Sequence, residues 1–391
     1  MIRRVIKHTD KKGLFKLIFN LIFKGMYSLY LYKKRVKKGQ FFPAFHFISV
    51  TDDCNLHCQG CWAIGKKQKN RLEFDHLDSI IRESKAMGSY FFGILGGEPL
   101  LYPPLFDLFR KHSDCYFQLF TNGTLLTPDV AEKLRRCANV TPLISFEGDE
   151  QVADIRRGGV QIYQRTVTAV ENASEAHLFT GVAISVCKSN IEMALSPEFI
   201  HSLIEKNVAY VWYYIFRPVG ENPSPELALD QEEINRLRRF LVDARDKYDI
   251  AIIDAYWDEE GKGLCPAASG LSHHINAAGY IEPCPVIQFS TDQTGNKPLT
   301  EIYKSSRFLQ NLRRDIPLQT SGCIIMEDPQ WVAVQAEKQS AVDTSGRENE
   351  FERLKKMPPV PSHGSAELIP ERNRIYRFAK KNAFFGLGAY G

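Results

Sequence analysis

The chain of 391 residues is 44% hydrophobic and 25% charged, the balance of a soluble globular protein and not of a disordered one. Its length exceeds one ordinary domain but suits a single barrel with appendages. Nine cysteines without a secretory signal predict a reducing, cytoplasmic compartment, where thiols act as ligands or as small buried side chains.

The formal net charge of +4 is uneven, because residues 1–40 carry twelve Lys or Arg against the single acid Asp10, a net +11 that leaves −7 for the rest. Within this arm Lys12, Lys16, Asn20, Lys24 and Ser28 recur every four residues among Leu, Ile, Phe and Tyr. A helix here carries one narrow polar stripe on an apolar cylinder. Lys16 and Lys24 are expected to interrupt any apolar stretch long enough to span a bilayer. Two placements follow. One is an in-plane helix on the anionic inner face of a membrane, with Lys33-Lys34-Arg35 and Lys37-Lys38 adding attraction. The other is a helix packed on protein, either the barrel or a dimer interface. No interleaving of aromatic and basic residues elsewhere supports nucleic-acid binding.

Beyond the arm, apolar strand candidates lie at 45–51, 90–96, 116–121, 141–147, 178–187 and 209–217. Helix candidates at 75–88, 103–112, 128–138, 161–176 and 197–206 alternate with them. This alternation predicts an α/β fold of parallel βαβ units with right-handed crossovers, an open six-stranded barrel. The chemistry of such a barrel sits at the carboxyl ends of its strands.

Just past the first strand stand Cys54, Cys58 and Cys61, spaced Cys-x-x-x-Cys-x-x-Cys. Three thiolates are one fewer than a closed structural metal site uses. They can hold three irons of a 4Fe-4S cluster and leave the fourth free. A zinc site completed by His57 or a distant residue is the alternative. Past the second strand comes Gly96-Gly97-Glu98-Pro99, where adjacent glycines allow close backbone approach and proline fixes the turn.

The loop Cys54-Asn55-Leu56-His57-Cys58-Gln59-Gly60-Cys61-Trp62, followed at this distance by Gly96-Gly97-Glu98-Pro99, resembles radical S-adenosylmethionine (radical SAM) enzymes. The resemblance implies a partial (β/α)6 TIM-like barrel. It also implies a catalytic 4Fe-4S cluster whose open iron binds the amino and carboxylate groups of S-adenosylmethionine. One electron, from a donor such as flavodoxin or ferredoxin, would cleave the sulfonium to a 5′-deoxyadenosyl radical that abstracts hydrogen from an unactivated C–H bond. Gly96, Gly97 and Glu98 would hold the methionine portion.

Other strand ends match the family less closely. Thr121-Asn122-Gly123-Thr124 resembles its Thr-Asn-Gly turn. Ser145-Phe146-Glu147-Gly148 resembles its Ser-x-Asp-Gly segment, which makes Ser145 and Glu147 candidates for ribose and carboxylate contacts. Asp154-Ile155-Arg156-Arg157-Gly158 offers an arginine for the cofactor carboxylate, Arg157 by register, with Arg156 as the other choice. Asn190 and Arg217 face either cofactor or solvent. Relatives usually carry an aromatic residue before the last cysteine, beside the adenine. Here that position is Gly60, so Trp62 or the backbone takes over the packing.

A proline-rich stretch at 219–229 reads as a linker, and a strong helix follows from Asp230 to Tyr248. Cys265, Cys284 and Cys323 come next, with a glycine-turn β-hairpin over 275–284. This region resembles the SPASM or twitch extension of one family branch, which implies a second 4Fe-4S cluster on these three cysteines. Its fourth position is either open or filled by His273, His274, Glu327 or Asp328. Zinc or free thiols are the alternatives. Cys115, Cys137 and Cys187 read as buried small hydrophobes. The expected division is a basic amphipathic arm (1–40), a barrel core (41–228), an extension (229–330) and a C-terminal helix and tail (331–391). The tail either closes over the site or joins a membrane-facing surface. The branch favours a peptide or protein substrate, and the arm favours a membrane-associated lipid. A non-catalytic iron–sulfur or zinc protein carrying electrons at a membrane is the reading of a different class.

Overall fold

Six parallel strands appear where the apolar runs place them: β1 (Phe45–Ser49), β2 (Phe91–Leu95), β3 (Tyr116–Thr121), β4 (Val140–Ser145), β5 (Gly181–Val186) and β6 (Tyr210–Ile215). The computed structural model describes residues 1–382, so the glycine-rich end of the tail lies outside the described residues. The strands are buried along nearly their whole length, as parallel strands covered on both faces must be. Intervening helices begin at recognisable caps. Thr127 and Ser196 accept from Val130 N and Phe199 N, each with proline at the first helical position.

The sheet is larger than six strands. The helix Gln231–Lys247 starts at a capping box of Asp230 and Glu233 and leads into β7 (Ala251–Asp254), which pairs parallel to β6. On the other side β8 (Ser272–Ile275) pairs parallel to β1, and β9 (Ile281–Glu282) pairs antiparallel to β8. The order is β7-β6-β5-β4-β3-β2-β1-β8-β9. The expected boundary at 228/229 therefore falls inside one continuous sheet. The stretch expected to be a linker carries a 3-10 turn, Pro225–Leu227, whose Leu227 carbonyl accepts from Lys188 N at 3.0 Å. The hairpin forms as expected, with Gly279 at φ +83° in its turn.

The arm crosses the amino-terminal end of the barrel. Arg4 donates to the carbonyls of Val208 and Asp249, which precede β6 and β7. Lys16 and Asn20 donate to Ser113 O, Asn20 also to Cys115 O, and Lys24 to Asp114 O, all just before β3. Leu17, Leu21 and Leu29 join a buried cluster with Phe45, Phe91 and Tyr116. The polar stripe from Lys16 to Lys24 thus points into the protein and satisfies carbonyls before β3, so the arm packs on the barrel, one of its two expected placements. By length and composition alone the helix Lys11–Val36 is apolar enough to cross a membrane, and 33% of its apolar window is buried within the protein. That corrects the expectation that Lys16 and Lys24 would break the apolar stretch.

The described part of the tail closes the other edge. Glu371 accepts from Arg238 at 2.8 Å and from Arg245, and Lys380 contacts Asp254 at 3.0 Å, all of them buried. Glu371→Gln leaves two buried guanidinium groups short of a charge partner. We expect it to lower unfolding free energy by about 3–5 kcal/mol, read by urea denaturation; a loss within the range of an exposed pair would contradict the buried network.

Two buried histidines make stability pH-dependent. Burial pushes His46 down to about 3 and His273 well below its ordinary value. Both stay neutral when folded, so their contribution is complete above about pH 6.5 and declines as pH falls, by up to about 1.4 kcal/mol per pH unit each. Urea midpoints measured across this range should fall with acidification, and a flat profile would contradict it. Cys115, Cys137 and Cys187 are buried, as expected.

Candidate active site

Cys54, Cys58 and Cys61 lie on the loop that leaves the carboxyl end of β1. Neighbouring strand ends build this loop into place. Gly97 N donates to Thr51 O at 2.8 Å and Glu98 N to Asp53 O at 2.7 Å. His57 N and Gln59 N donate to the carbonyls of Arg157 and Arg156. Asn55, which no sequence signal marked, exchanges side-chain hydrogen bonds with Asn122 and Thr124 at 2.9 and 2.8 Å. The Thr-Asn-Gly turn therefore braces the cysteine loop.

The double glycine is required by packing. A Cβ on Gly97 would stand 2.2 Å from Asp53 O and 2.8 Å from the Cys54 Cβ, and one on Gly96, at φ +155°, would stand 2.5 Å from Thr51 O. The close approach is to the thiol loop itself. Gly60 is equally constrained: at φ +70° its Cβ would lie 2.2 Å from the Phe216 ring. The aromatic surface that relatives place in this loop comes here from the end of β6. The Arg156 guanidinium packs on that ring, 4.5 Å from its centroid.

A cavity of about 160 Å³ touches all three cysteines and is lined by Gly96, Gly97 and Arg157. A second, of about 240 Å³, continues from Cys58 and Cys61 past Ser145 and Phe216 to Arg217, Pro285 and Val286. Burial pushes the Cys54 thiol up to about 11 and the Cys61 thiol up to about 12. Such thiols ionise readily only when a metal replaces the proton.

Two of the expected contact residues have their carboxylates taken by protein partners. Glu98 does not line either cavity. It is fully buried, and its carboxylate accepts from Leu100 N (3.0 Å), Thr121 Oγ1 (2.8 Å) and Asn122 N (2.8 Å). Burial pushes its carboxyl up, and those three donors pull against the rise. Glu98 braces the β2 and β3 loops in this structure. Glu147 lines the larger cavity, but its oxygens receive Arg156 at 2.8 Å and Arg157 at 2.7 Å. Arg157 also reaches Cys58 Sγ at 3.6 Å. Burial alone would lower the Arg157 pKa, yet Glu147 and Cys58 hold it raised. Asn190 bonds to Glu147 O and Ser185 O, holding strand ends together and facing neither cofactor nor solvent.

Cys265, Cys284 and Cys323 are buried near one another, behind the end of the larger cavity that Arg217, Pro285 and Val286 line. Burial pushes Cys265 up to about 11 and Cys284 up to about 12, with neighbouring thiols adding to both. Arg217 lines the cavity, packs over Tyr256 and contacts Cys323, which with Cys284 helps hold its pKa raised against burial. Three of the four proposed fourth ligands are engaged elsewhere. His274 uses both ring nitrogens, on Glu282 and Ser49, and Glu327 accepts from Thr320 and Ser362. Asp328 caps a helix through Trp331 N, whereas His273, stacked on Tyr303, is buried with neither ring nitrogen hydrogen-bonded.

The donor sets fit polynuclear clusters better than single ions. A zinc ion with Zn–S near 2.3 Å draws its sulfurs to within about 4 Å of one another. Among the described residues, the group of His, Cys, Asp or Glu ligand atoms that lies within 4.8 Å is His112, Asp114 and Cys115, not either thiol triad. That group is itself tied up, with His112 on Asp78 and Asp114 on Lys85. His57, the local candidate to complete a zinc site, is exposed.

Known proteins agree with this geometry. The profile described as the radical SAM superfamily matches residues 48–193. The mycofactocin maturase MftC of Mycobacterium tuberculosis is 30% identical over 291 residues, 70% of this chain and 73% of that protein. An AdoMet-dependent heme synthase of Methanosarcina barkeri is 24% identical over 295 residues, 68% of this chain and 83% of that one. Streptococcus suis SuiB, solved bound to S-adenosylmethionine, superposes with a TM-score of 0.62 at 18% identity, covering 72% of this chain and 71% of its own. A thiol triad with an adjoining cavity, on a fold shared with such proteins, leaves no place for the electron-carrier alternative. The chain belongs to the radical SAM superfamily and is an enzyme of its auxiliary-cluster branch, with a 4Fe-4S cluster and S-adenosylmethionine as cofactors.

Proposed function

We propose that this enzyme modifies a peptide or protein held between two iron–sulfur sites, Cys54, Cys58 and Cys61 on one side and Cys265, Cys284 and Cys323 on the other. The observation that carries this reading is the cavity of about 240 Å³, which has Cys58 and Cys61 at one end and Arg217, Pro285 and Val286 at the other. The bound cofactors supply one-electron cleavage of a sulfonium and hydrogen abstraction from carbon. The chain's own residues bind and orient. Gly96 and Gly97 offer backbone to the methionine portion, Arg157 offers a guanidinium to its carboxylate, and Ser145 offers a hydroxyl to the ribose. Phe216 and Trp62 wall the cavity with apolar surface that excludes water. The engaged state of His274, Glu327 and Asp328 leaves the fourth position at the auxiliary site open or, of the four candidates, to His273, whose ring nitrogens have no hydrogen-bond partner. A small low-potential protein of the flavodoxin or ferredoxin kind would deliver the electron.

The peptide reading is favoured over a lipid one by position. The apolar arm lies at the amino ends of the strands and the cavity at their carboxyl ends, a strand length of roughly 20 Å away. SuiB, of like fold, has been solved with its precursor peptide SuiA. The test is anaerobic turnover of reconstituted enzyme with S-adenosylmethionine and dithionite, adding either the peptide fraction or the total lipid fraction of the host cell. We expect 5′-deoxyadenosine release to rise with peptides only. A rise with lipids only would overturn the substrate assignment.

A further inference from the structure

The arm is an inverted amphipathic helix. Its polar stripe from Lys16 to Ser28 turns toward the barrel, with Asn20 and Ser28 buried and Lys16 and Lys24 half-buried on carbonyls before β3, and its outward side is apolar. Phe15, Phe19, Ile22, Phe23, Met26 and Tyr30 follow one another at helical spacing and stay exposed, Phe15 and Phe23 each at 62%. Together they form a contiguous aromatic and aliphatic face of the kind soluble monomers rarely leave uncovered. The same helix ends in exposed lysines at positions 33, 34, 37 and 38, and it begins with Lys11 and Lys12. The one acid of the segment, Asp10, is already engaged by Lys12 N, Gly13 N and Arg135. The C-terminal helix Arg374–Asn382 adjoins the basic end, where Lys33 donates to Lys381 O, and it exposes Ile375 and Phe378.

We propose that this face docks the enzyme on an anionic membrane surface, with the arm lying in the plane of the interface and the barrel standing on its amino-terminal end. Apolar side chains enter the acyl boundary while the flanking lysines meet acidic headgroups. Charge decides between this occupant and a second copy of the chain. A two-fold dimer through this face would bring together the exposed lysines 11, 12, 33, 34, 37 and 38 of both copies, whereas an acidic bilayer complements them. A crossing helix does not fit, because Lys16, Asn20 and Lys24 anchor the arm along the barrel. Docked this way, the cavity opens away from the bilayer toward the aqueous phase. The inference does not depend on the substrate reading.

The test is co-sedimentation of the full chain with vesicles of phosphatidylcholine alone or mixed with phosphatidylglycerol. We expect partitioning onto the mixed vesicles at least about tenfold above neutral ones, declining with salt. The combined variant Phe15→Ser, Phe19→Ser, Phe23→Ser should bind at least about tenfold less while keeping its thermal midpoint and its 5′-deoxyadenosine formation. The combined variant Lys34→Glu, Lys37→Glu, Lys38→Glu, which leaves the apolar face intact, should lose the preference for acidic vesicles. Equal binding to both vesicle types would overturn the proposal. So would undiminished binding by the serine variant, or sedimentation velocity showing a dimer that this variant dissociates, since a second copy would then cover the face.

Discussion

Gly97→Ala is expected to empty the catalytic iron site. The added methyl would sit 2.2 Å from Asp53 O and 2.8 Å from the Cys54 Cβ, so the cysteine loop must move. Both neighbours belong to the backbone or base of that loop, and neither can swing aside as a long side chain would. A displacement of about 1 Å at a reacting centre costs on the order of 100-fold in rate. Here the displaced residue is itself one of the three proposed iron ligands. Iron bound after reconstitution should fall to the amount held by the auxiliary cysteines, and 5′-deoxyadenosine formation should drop at least about 100-fold. Full iron content with normal turnover would show that the loop does not depend on this packing.

The second large effect concerns Glu98. If its carboxylate braces the loops, Glu98→Ala leaves Leu100 N, Thr121 Oγ1 and Asn122 N without an acceptor in a buried place. Each such orphan costs about 1–3 kcal/mol, so the unfolding free energy of the iron-free chain should fall by roughly 3 kcal/mol or more. Loss of the Asn122 to Asn55 contact then loosens the cysteine loop, and cluster retention should fall as well. A direct contact with the cofactor amino group predicts a different pattern. Stability and iron would be unchanged, and only S-adenosylmethionine affinity would weaken. Urea denaturation, iron analysis and equilibrium binding separate the two outcomes.

Some of this was legible in the sequence, for physical reasons. Strands β1 to β6 are near-continuous apolar runs because a parallel sheet buries both faces, and proline, glycine and capping residues punctuate the helices between them. The cysteine spacing is legible because a short loop can present its thiols to one cluster only at such intervals. What stayed hidden depends on partners distant in the chain. Ala251–Asp254 and Ser272–Ile275 have strand character, but nothing local says that they extend the barrel sheet from both of its sides. Gly60 reads as the loss of an aromatic residue until Phe216 is seen over it. Glu98 can accept from an ammonium or from backbone amides with equal chemistry, and only the fold brings Leu100 N, Thr121 Oγ1 and Asn122 N to its oxygens. Likewise a stripe of Lys and Asn serves water or strand-end carbonyls equally well. The arm's inversion follows from the barrel beneath it and not from its own periodicity.

The central claim is that three thiolates on the β1 loop hold a cluster with one iron reserved for S-adenosylmethionine. Electron paramagnetic resonance of the anaerobically reconstituted, reduced variant Cys265→Ala, Cys284→Ala, Cys323→Ala isolates that centre. A 4Fe-4S signal whose line shape changes on addition of S-adenosylmethionine is the predicted result. Zinc in the loop, or an iron signal indifferent to the cofactor, would contradict the account.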